Sequence, residues 1–248
     1  MFPFAKRPAA RIPQADNPYW MSFSDMMSGM LIIFILVCIA LLFKLSQMVD
    51  QVTANVEELR ISGSVRTAIL NDMYNILYSQ GILDGYEVDD IINEDQTILH
   101  IPEGILHFET GKFDIQDKLK AEKIGHALYM AIIKDQRWRY LDTVFVEGHS
   151  DSRKAPNYRM GNWELSALRA ISLWQFWTEE TDYGAALKEL RNREGRLLFS
   201  VSGYAATRRV AEIEDSEDAM RRNRRIDIRF TTRQPSIMDM QDVLTPLQ

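Results

Sequence analysis

The chain has 248 residues, 46% hydrophobic and 26% charged, and its 35 acidic and 29 basic residues give a formal net charge of −6. This composition is typical of a globular protein and excludes disordered and collagen-like chains, while the negative charge excludes a general nucleic-acid binder, which needs a basic surface for phosphate. The one cysteine, Cys38, excludes an intramolecular disulfide and a cysteine-based zinc site, and the four histidines show no zinc-ligand spacing.

The first predicted element is a membrane-spanning helix. From Met26 to Phe43 the chain carries no charge, and a helix of about 18 residues spans about 27 Å, the thickness of a thin bilayer core. Tyr19 and Trp20 precede this segment and Lys44 follows it, which is the flanking expected at membrane interfaces. A cleavable signal peptide, the alternative, would have a shorter apolar region followed by a small-residue cleavage site.

The charges before the span predict its orientation. They are net positive, from Lys6, Arg7 and Arg11 against Asp16. By the positive-inside rule the amino terminus is cytoplasmic. We therefore expect a single-pass protein of the bacterial inner membrane, with a cytoplasmic tail over residues 1–18, a transmembrane helix over residues 19–44 and the rest of the chain in the periplasm.

Asp25 lies near the cytoplasmic end of the predicted span. An ionised carboxylate at this depth costs a few kcal/mol, and such residues usually have a function. On a helix Asp25 shares a stripe with Ser28 and Gly29, small residues that permit close contact between helices. This pattern predicts a reversible site for a proton or a sodium ion. In the alternative, Asp25 only marks a helix start capped near Ser22 or Ser24, where a negative charge suits the helix dipole.

Two apolar stripes at helical spacing follow the span, one from Leu45 to Leu59 and one from Val65 to Leu77, with a predicted break at Gly63 between them. They predict a helical stalk or linker over residues 45–96. Its apolar pattern contains too few regular heptads to specify a long coiled coil. We expect two copies of the chain to pair along the stalk. The second stripe either belongs to this dimeric stalk or packs on the outer domain as an amphipathic helix.

Residues 97–233 alternate short strand patterns with helical ones, which predicts an α/β sandwich with helices on one face of a mixed sheet. The expected strands are Ile98–Ile101, Thr143–Glu147, Leu197–Ser202 and Ile226–Phe230. The expected helices are Asp117–Lys134, Glu164–Thr178 and Glu217–Arg222. Residues 234–248 lack periodicity and predict a flexible tail.

Four motifs follow one another in the outer domain. They are VFVEGHSDS at 144–152, NWELSALRA at 162–170, GYA at 203–205 and NRRIDIRF at 223–230. In order and spacing they resemble the OmpA-like peptidoglycan-binding domain, over residues 97–232. The loop RKAPNYRMG that follows Ser152 is longer than in the most compact members of that family.

The resemblance implies six peptidoglycan-binding residues: Asp151, Asn162, Leu165, Arg169, Arg224 and Arg225. Diaminopimelate in a peptidoglycan stem peptide is zwitterionic, so its receptor needs an anion for the ammonium group and a guanidinium for the carboxylate. Asp151 and Arg169 supply that pair. Without the resemblance, Asn162 is a helix N-cap and Leu165 a core residue.

No catalytic, cofactor or metal site is expected. We interpret His149 as a turn residue bonded to backbone, with no nucleophile and base around it. Alternation along a strand is expected to keep Glu147, His149 and Asp151 from converging on a metal or acid–base site. The arginines over residues 221–225 follow a run of acids over 212–218, which favours mutual ion pairing over direct nucleic-acid binding.

The whole arrangement resembles the B subunit of ion-driven stators of the MotB family. That family has an aromatic residue and then an aspartate in a methionine-rich apolar run, as at Trp20 and Asp25 in WMSFSDMMSGMLIIF. The segments SDMMSG and NWELSALRA are most similar to the B subunit of the Zorya anti-phage defence system.

The resemblance implies a rotary motor that is not an enzyme. A homodimer would sit inside a ring of five copies of a multi-span, MotA-like A subunit, with protons or sodium ions carried by Asp25 and the outer domain held by peptidoglycan. Rotation would act indirectly on cytoplasmic defence effectors. The alternatives are a flagellar stator subunit and a passive wall tether in which Asp25 only caps a helix.

Overall fold

The computed structural model describes residues 18–233, and the predicted tails at 1–18 and 234–248 lie, apart from Pro18, outside the described residues. Internal contacts divide the chain into two compact units, Met1–Ala54 and Asn55–Gln248. The first long helix belongs to both units, and the outer domain lies in the second.

Helix α1 runs without interruption over Pro18–Ser79. The predicted break at Gly63 is wrong, because one glycine inside a helix costs only about 1 kcal/mol relative to alanine. Asp25 lies seven residues after the first residue of α1, about 10 Å along the axis, and therefore beyond the first turn. Ser28 Oγ donates to the carbonyl of Ser24 at 2.8 Å. Because Ser24 lies within the helix, the interpretation of Asp25 as part of an N-cap is also wrong.

The apolar segment of α1 is exposed along its whole length. Within residues 18–233, α1 is the helix that is long and apolar enough to cross a membrane, and no residue of its apolar window is buried inside the protein. A core helix of a soluble protein would be mostly buried. The large hydrophobic residues between Met26 and Phe43 therefore form a surface that the described chain does not cover.

The last turns of α1 belong to the outer domain. Their apolar side chains are almost fully buried in its core: Ile69, Leu70, Met73 and Leu77. Arg66 Nε donates to the carbonyl of Gln96 at 2.9 Å. The second apolar stripe therefore packs on the outer domain, which was one of the two predicted possibilities.

Four strands form one mixed sheet: β1 (Ile98–Pro102), β2 (Leu141–Gly148), β3 (Phe199–Gly203) and β4 (Arg225–Thr232). Their order is β1-β4-β2-β3. Strand β4 is antiparallel to both of its neighbours, and β2 and β3 are parallel. The mixed α/β architecture and the four predicted strands are confirmed, with bounds shifted by one or two residues.

The remaining helices are α2 (Val88–Ile91), α3 (Lys118–Ile133), α4 (Asn162–Glu180), α5 (Gly184–Glu189) and α6 (Glu217–Asn223), with a 3₁₀ segment at Lys134–Tyr140. Helices α3, α4 and α6 match the predicted helices. The Asp117 side chain caps α3 by accepting from the backbone of Lys120, and Ser216 caps α6 in the same way. Trp177 of α4 donates to the carbonyl of Ala121 at 2.7 Å, which joins α4 to α3.

The two faces of the sheet differ in chemistry because side chains alternate along each strand. The apolar face is buried against the helices and carries Leu99, Ile101, Val144, Val146, Ile226, Ile228 and Phe230. The opposite face carries His100, Glu147, Asp227 and Arg229, with His149 just beyond the end of β2. The helices therefore cover one face, and the other is charged.

Two glycines let α4 approach the sheet closely. Gly148 and Gly203 pair across β2 and β3. A Cβ atom at Gly148 would lie 1.9 Å from the carbonyl oxygen of Ser166, and one at Gly203 would lie 2.4 Å from the backbone nitrogen of Ala167. This contact holds the first half of α4, which carries Arg169, against the end of β2.

We expect Gly148→Ala to lower the free energy of unfolding of the outer domain by about 1–3 kcal/mol, because the added methyl group overpacks the contact with α4. Gly63→Ala is the matched control. Apart from its chain neighbours and the backbone of its own helix, no atom of residues 18–233 lies within 4 Å of its added Cβ, so it is expected to stabilise the helix by up to about 1 kcal/mol. Denaturant unfolding of the full chain in detergent measures both. Equal stability of Gly148→Ala and wild type would contradict the close contact.

Candidate functional site

A groove of about 510 Å³ opens beside the end of β2. Its walls come from the loop after β1, the loop after β2, the start of α4 and helix α6. Five of the six predicted binding residues line it: Asp151, Asn162, Leu165, Arg169 and Arg224. Arg225 does not line this groove, and its side chain joins the charged face of the sheet instead.

Asp151 is buried at the base of the loop that follows β2, and two arginines bind its carboxylate. Oδ1 accepts from the backbone nitrogen of Arg153 at 3.1 Å, and Oδ2 accepts from Arg153 Nε at 2.8 Å and Arg224 Nη1 at 2.6 Å. Burial raises the pKa of Asp151, but the hydrogen bonds from Arg153 and Arg224 outweigh it and hold the pKa below its ordinary value. The carboxylate is therefore an anion at neutral and mildly acidic pH.

We expect wall binding through Asp151 to be unchanged between about pH 7 and about pH 5, because a carboxylate with a lowered pKa stays charged above the ordinary value of about 3.9. The His107 side chain lines the same groove, so the comparison is made both in wild type and in His107→Gln. Sedimentation of the full chain with peptidoglycan sacculi at both pH values is the measurement. A loss of binding that persists in His107→Gln would contradict the prediction.

Arg169 is a buried guanidinium that points into the groove from α4. Nε donates to the carbonyl of Lys112 at 3.0 Å, and Nη2 donates to the carbonyl of Glu109 at 3.3 Å. The guanidinium also lies 5.1 Å from the ring centroid of Phe108. Burial lowers its pKa, but an arginine stays protonated in proteins. Nη1 makes no hydrogen bond within residues 18–233, so it remains available to a carboxylate.

Asn162 is the first residue of α4, and the N-cap is Gly161 with φ of 59°. The interpretation of Asn162 as an N-cap is therefore wrong. Its Nδ2 donates to the carbonyl oxygens of Asp151 and Arg153 at 3.0 and 2.8 Å. Its Oδ1 is buried without a partner in the described part of the chain. Asn162 thus fixes the loop and offers an acceptor beside Asp151, while Leu165 is a buried apolar residue of the groove.

Arg224 ties the groove together from the junction of α6 and β4. It contacts Asp151 and Glu103 at 2.6 Å and Glu217 at 2.8 Å. Burial lowers the pKa of Arg224, but hydrogen bonds to these three carboxylates outweigh it and raise the pKa above its ordinary value. Its charge is thus already balanced, and we assign it to positioning Asp151.

The sequence interpretation missed three charged groove residues that bind Asp151 or Arg224, which are Glu103, Arg153 and Glu217. Glu103 and Glu217 bind Arg224, and Arg153 binds Asp151 and Glu217. The only available signal was the proximity of Arg153 to Asp151 in the loop RKAPNYRMG. Glu103 is distant in the chain from its partner Arg224, and Glu217 lies seven residues before Arg224. No local sequence pattern therefore identifies either glutamate.

The charged face of the sheet holds a second cluster, and here the interpretation of His149 as a turn residue bonded to backbone is wrong. The cluster does not include Asp151. His149 is buried, with Nε2 3.0 Å from Asp227 Oδ2, although neither ring nitrogen has the alignment of a hydrogen bond. Its ring stacks on Tyr204, with the centroids 5.6 Å apart. Glu147 and His149 are two residues apart and share a face, so they converge with Asp227, their ligand atoms all lying within 4.8 Å of one another.

This cluster is built as an ion-pair network and fits a metal ion poorly. Arg225 Nε and Nη2 each bind one oxygen of Asp227 at 2.9 Å. His100 Nδ1 lies 2.7 Å from Asp227 Oδ1, and Arg229 binds Glu147. Burial raises the pKa of Asp227, but the hydrogen bond with His100, the close contact with His149 and the charge of Arg225 hold it far below its ordinary value. The two guanidinium groups would repel a metal cation.

Comparison with known proteins identifies the outer domain. Residues 107–224 match the OmpA family. These residues form an OmpA-like domain. Strand β1 precedes the matched residues and β4 follows them.

Among curated proteins, the chain is 31% identical over 137 residues to YtxE of Bacillus subtilis (strain 168). The match covers 55% of this chain and 48% of YtxE, so the chain spans about half the length of this relative.

Solved structures with similarity to the chain include a MotB-like protein from Desulfovibrio vulgaris, with 18% identity and a TM-score of 0.49, covering 70% of this chain and 95% of that one. The periplasmic domain of Helicobacter pylori MotB has 23% identity and a TM-score of 0.43, covering 59% and 83%. The cell wall anchor of the type VI secretion system from Pseudomonas aeruginosa has 24% identity and a TM-score of 0.39, covering 55% and 81%.

Proposed function

We propose that the OmpA-like domain binds peptidoglycan through the groove beside β2. The observation that supports this most is the convergence of Asp151, Asn162 and Arg169 from two segments on one groove. These residues present an anion, an unpartnered acceptor and a guanidinium with a free nitrogen. A zwitterionic ligand needs this combination.

The ligand that fits this chemistry is the free end of diaminopimelate in a stem peptide. Its ammonium group would lie against Asp151 and Asn162 Oδ1, and its carboxylate against Arg169 Nη1. Leu165 would pack against the methylene chain that joins this free end to the rest of the stem peptide. The function of the domain is thus binding and not catalysis.

The apolar part of α1 would anchor this domain to the inner membrane as a single span. Its uncovered apolar surface between Met26 and Phe43 supports this role. The outer domain would then lie in the periplasm, where peptidoglycan is, and the amino terminus in the cytoplasm.

We further propose that the chain is the B subunit of an ion-driven rotary motor. Asp25 supports this, because it lies beyond the first turn of α1, where no capping role explains a carboxylate. Two copies would pair within five copies of a MotA-like multi-span subunit, and Asp25 would carry protons or sodium ions. Anti-phage defence of the Zorya type, acting on cytoplasmic effectors, is the role that the sequence favours over flagellar motility.

The experiment that tests wall binding is sedimentation of the full chain, in detergent, with sacculi of two kinds. Sacculi with diaminopimelate stems should carry the protein into the pellet. Sacculi with lysine stems, which lack the second carboxylate, are the matched control. They should carry little of the protein into the pellet. A chain that stays in the supernatant with both would contradict the proposal.

A further inference from the structure

Arg153 occupies the ligand-binding oxygens of Asp151. Its Nε and Nη2 lie 2.8 and 2.6 Å from Oδ2, and its backbone nitrogen lies 3.1 Å from Oδ1. With Arg224 also on Oδ2, two guanidinium groups share one carboxylate. A ligand ammonium group can reach Oδ2 only if one of the two moves.

The surroundings of the two arginines indicate which one moves. The Arg224 side chain is only 12% exposed and is held by Glu103, Asp151 and Glu217, whereas the Arg153 side chain is 53% exposed. Arg153 also has a second acceptor already in reach, because its Nη1 lies 3.2 Å from Glu217 Oε2. Arg153 can therefore leave Asp151 without losing every partner.

We propose that Arg153 is an internal competitor that sets the affinity of the groove for the ligand ammonium group. In the free protein its guanidinium occupies Asp151, and in the bound protein it lies on Glu217 while the ammonium group takes its place. This proposal rests on the proposed function of the groove. It adds a competing side chain from the loop after β2. This competition makes wall attachment weaker and more reversible than it would be with Asp151 and Arg169 alone.

The competition predicts a gain of affinity when Arg153 is removed. Breaking a half-exposed ion pair costs up to about 1 kcal/mol, so Arg153→Gln should bind diaminopimelate-type sacculi about threefold to fivefold more tightly than wild type. Arg153→Lys keeps a competing cation and should fall between the two. Lys154→Gln is the matched control, because Lys154 lines the same groove and its loss removes the same charge. Its affinity should stay within about twofold of wild type.

Salt dependence separates competition from a merely structural role. In wild type the ligand replaces one ion pair by another at Asp151, whereas in Arg153→Gln it adds an ion pair. The affinity of Arg153→Gln should therefore fall more steeply with salt than that of wild type. Thermal unfolding of each variant checks that the loop and domain remain folded.

The possible outcomes are distinct. Tighter binding with steeper salt dependence in Arg153→Gln, and neither change in Lys154→Gln, supports the competition. Binding by wild type that is unchanged or weakened in Arg153→Gln overturns it and leaves the proposed function standing. An equal gain in Lys154→Gln also overturns it, because the effect would then be one of net charge. Failure of wild type itself to bind overturns the proposed function.

Discussion

Replacing Arg169 by alanine is expected to weaken binding of the full chain to diaminopimelate-type sacculi by about 30- to 150-fold, the equivalent of about 2–3 kcal/mol for a hydrogen bond to a charged group. The guanidinium is rigid before the ligand arrives, because the carbonyls of Lys112 and Glu109 and the ring of Phe108 hold it. Little side-chain entropy is then lost on binding. Sedimentation over a range of sacculus concentrations measures the change.

Two further variants control this experiment. Arg169→Lys keeps the charge but not the planar fork, so it should recover only part of the affinity. Arg221→Ala removes an arginine that lines the same groove and should bind like wild type. Thermal unfolding is measured alongside, because Arg169 also ties the loop after β1 to α4. Wild-type binding by a folded Arg169→Ala would show that the groove does not use this residue.

Asp25→Asn is expected to abolish any ion-driven activity while leaving expression, membrane insertion and wall binding intact. Asparagine keeps the size of the side chain but carries no charge, so it cannot bind and release a proton or a sodium ion as a carboxylate does. Residue 25 could then no longer alternate between a charged and a neutral state inside the ring of A subunits. A charge moving through the membrane potential supplies about 2.3 kcal/mol per 100 mV, and this coupling would be lost.

The measurement is phage resistance, and swimming of a motility-deficient host, when the chain is co-expressed with a multi-span A subunit. Asp50→Asn is the matched control, because Asp50 lies on the same helix beyond the apolar segment. Loss of phage resistance in Asp25→Asn but not in Asp50→Asn supports a defence motor. Loss of swimming in Asp25→Asn but not in Asp50→Asn supports a flagellar stator. If Asp25→Asn keeps the activity of wild type, the motor proposal fails and a passive wall tether remains.

The fold was predictable where the pattern is strong and local. The strand around Ile228 alternates apolar and charged residues, the strand around Val144 has a short apolar run, and α4 combines a wide apolar stripe with a motif of known spacing. Helices α2 and α5 and the 3₁₀ segment were not predicted, since they have only four, six and seven residues and no periodicity to detect. The break assigned to Gly63 failed because tertiary packing of Ile69 and Met73 outweighs the local preference of one glycine.

The groove was predictable only in part. Asp151, Asn162, Leu165 and Arg169 follow from motifs, and the structure brings them together. Arg225 diverges from Arg224, a separation that strand alternation at the start of β4 already implies.

The long-range ion pairs around Asp151 and Asp227 could not be predicted from the sequence. Glu103 with Arg224 and His100 with Asp227 each join residues far apart in the chain. Only the register of β4 against its neighbours shows which charges face one another.

The central claim is that one groove recognises both charges of a diaminopimelate end, and the most direct test varies the ligand. We would titrate the full chain in detergent with two stem peptides that differ only in having diaminopimelate or lysine. The prediction is saturable binding at one site with at least about tenfold preference for the diaminopimelate peptide, since the lysine peptide leaves Arg169 without a carboxylate. Equal affinity for the two peptides, or binding of neither, would contradict it.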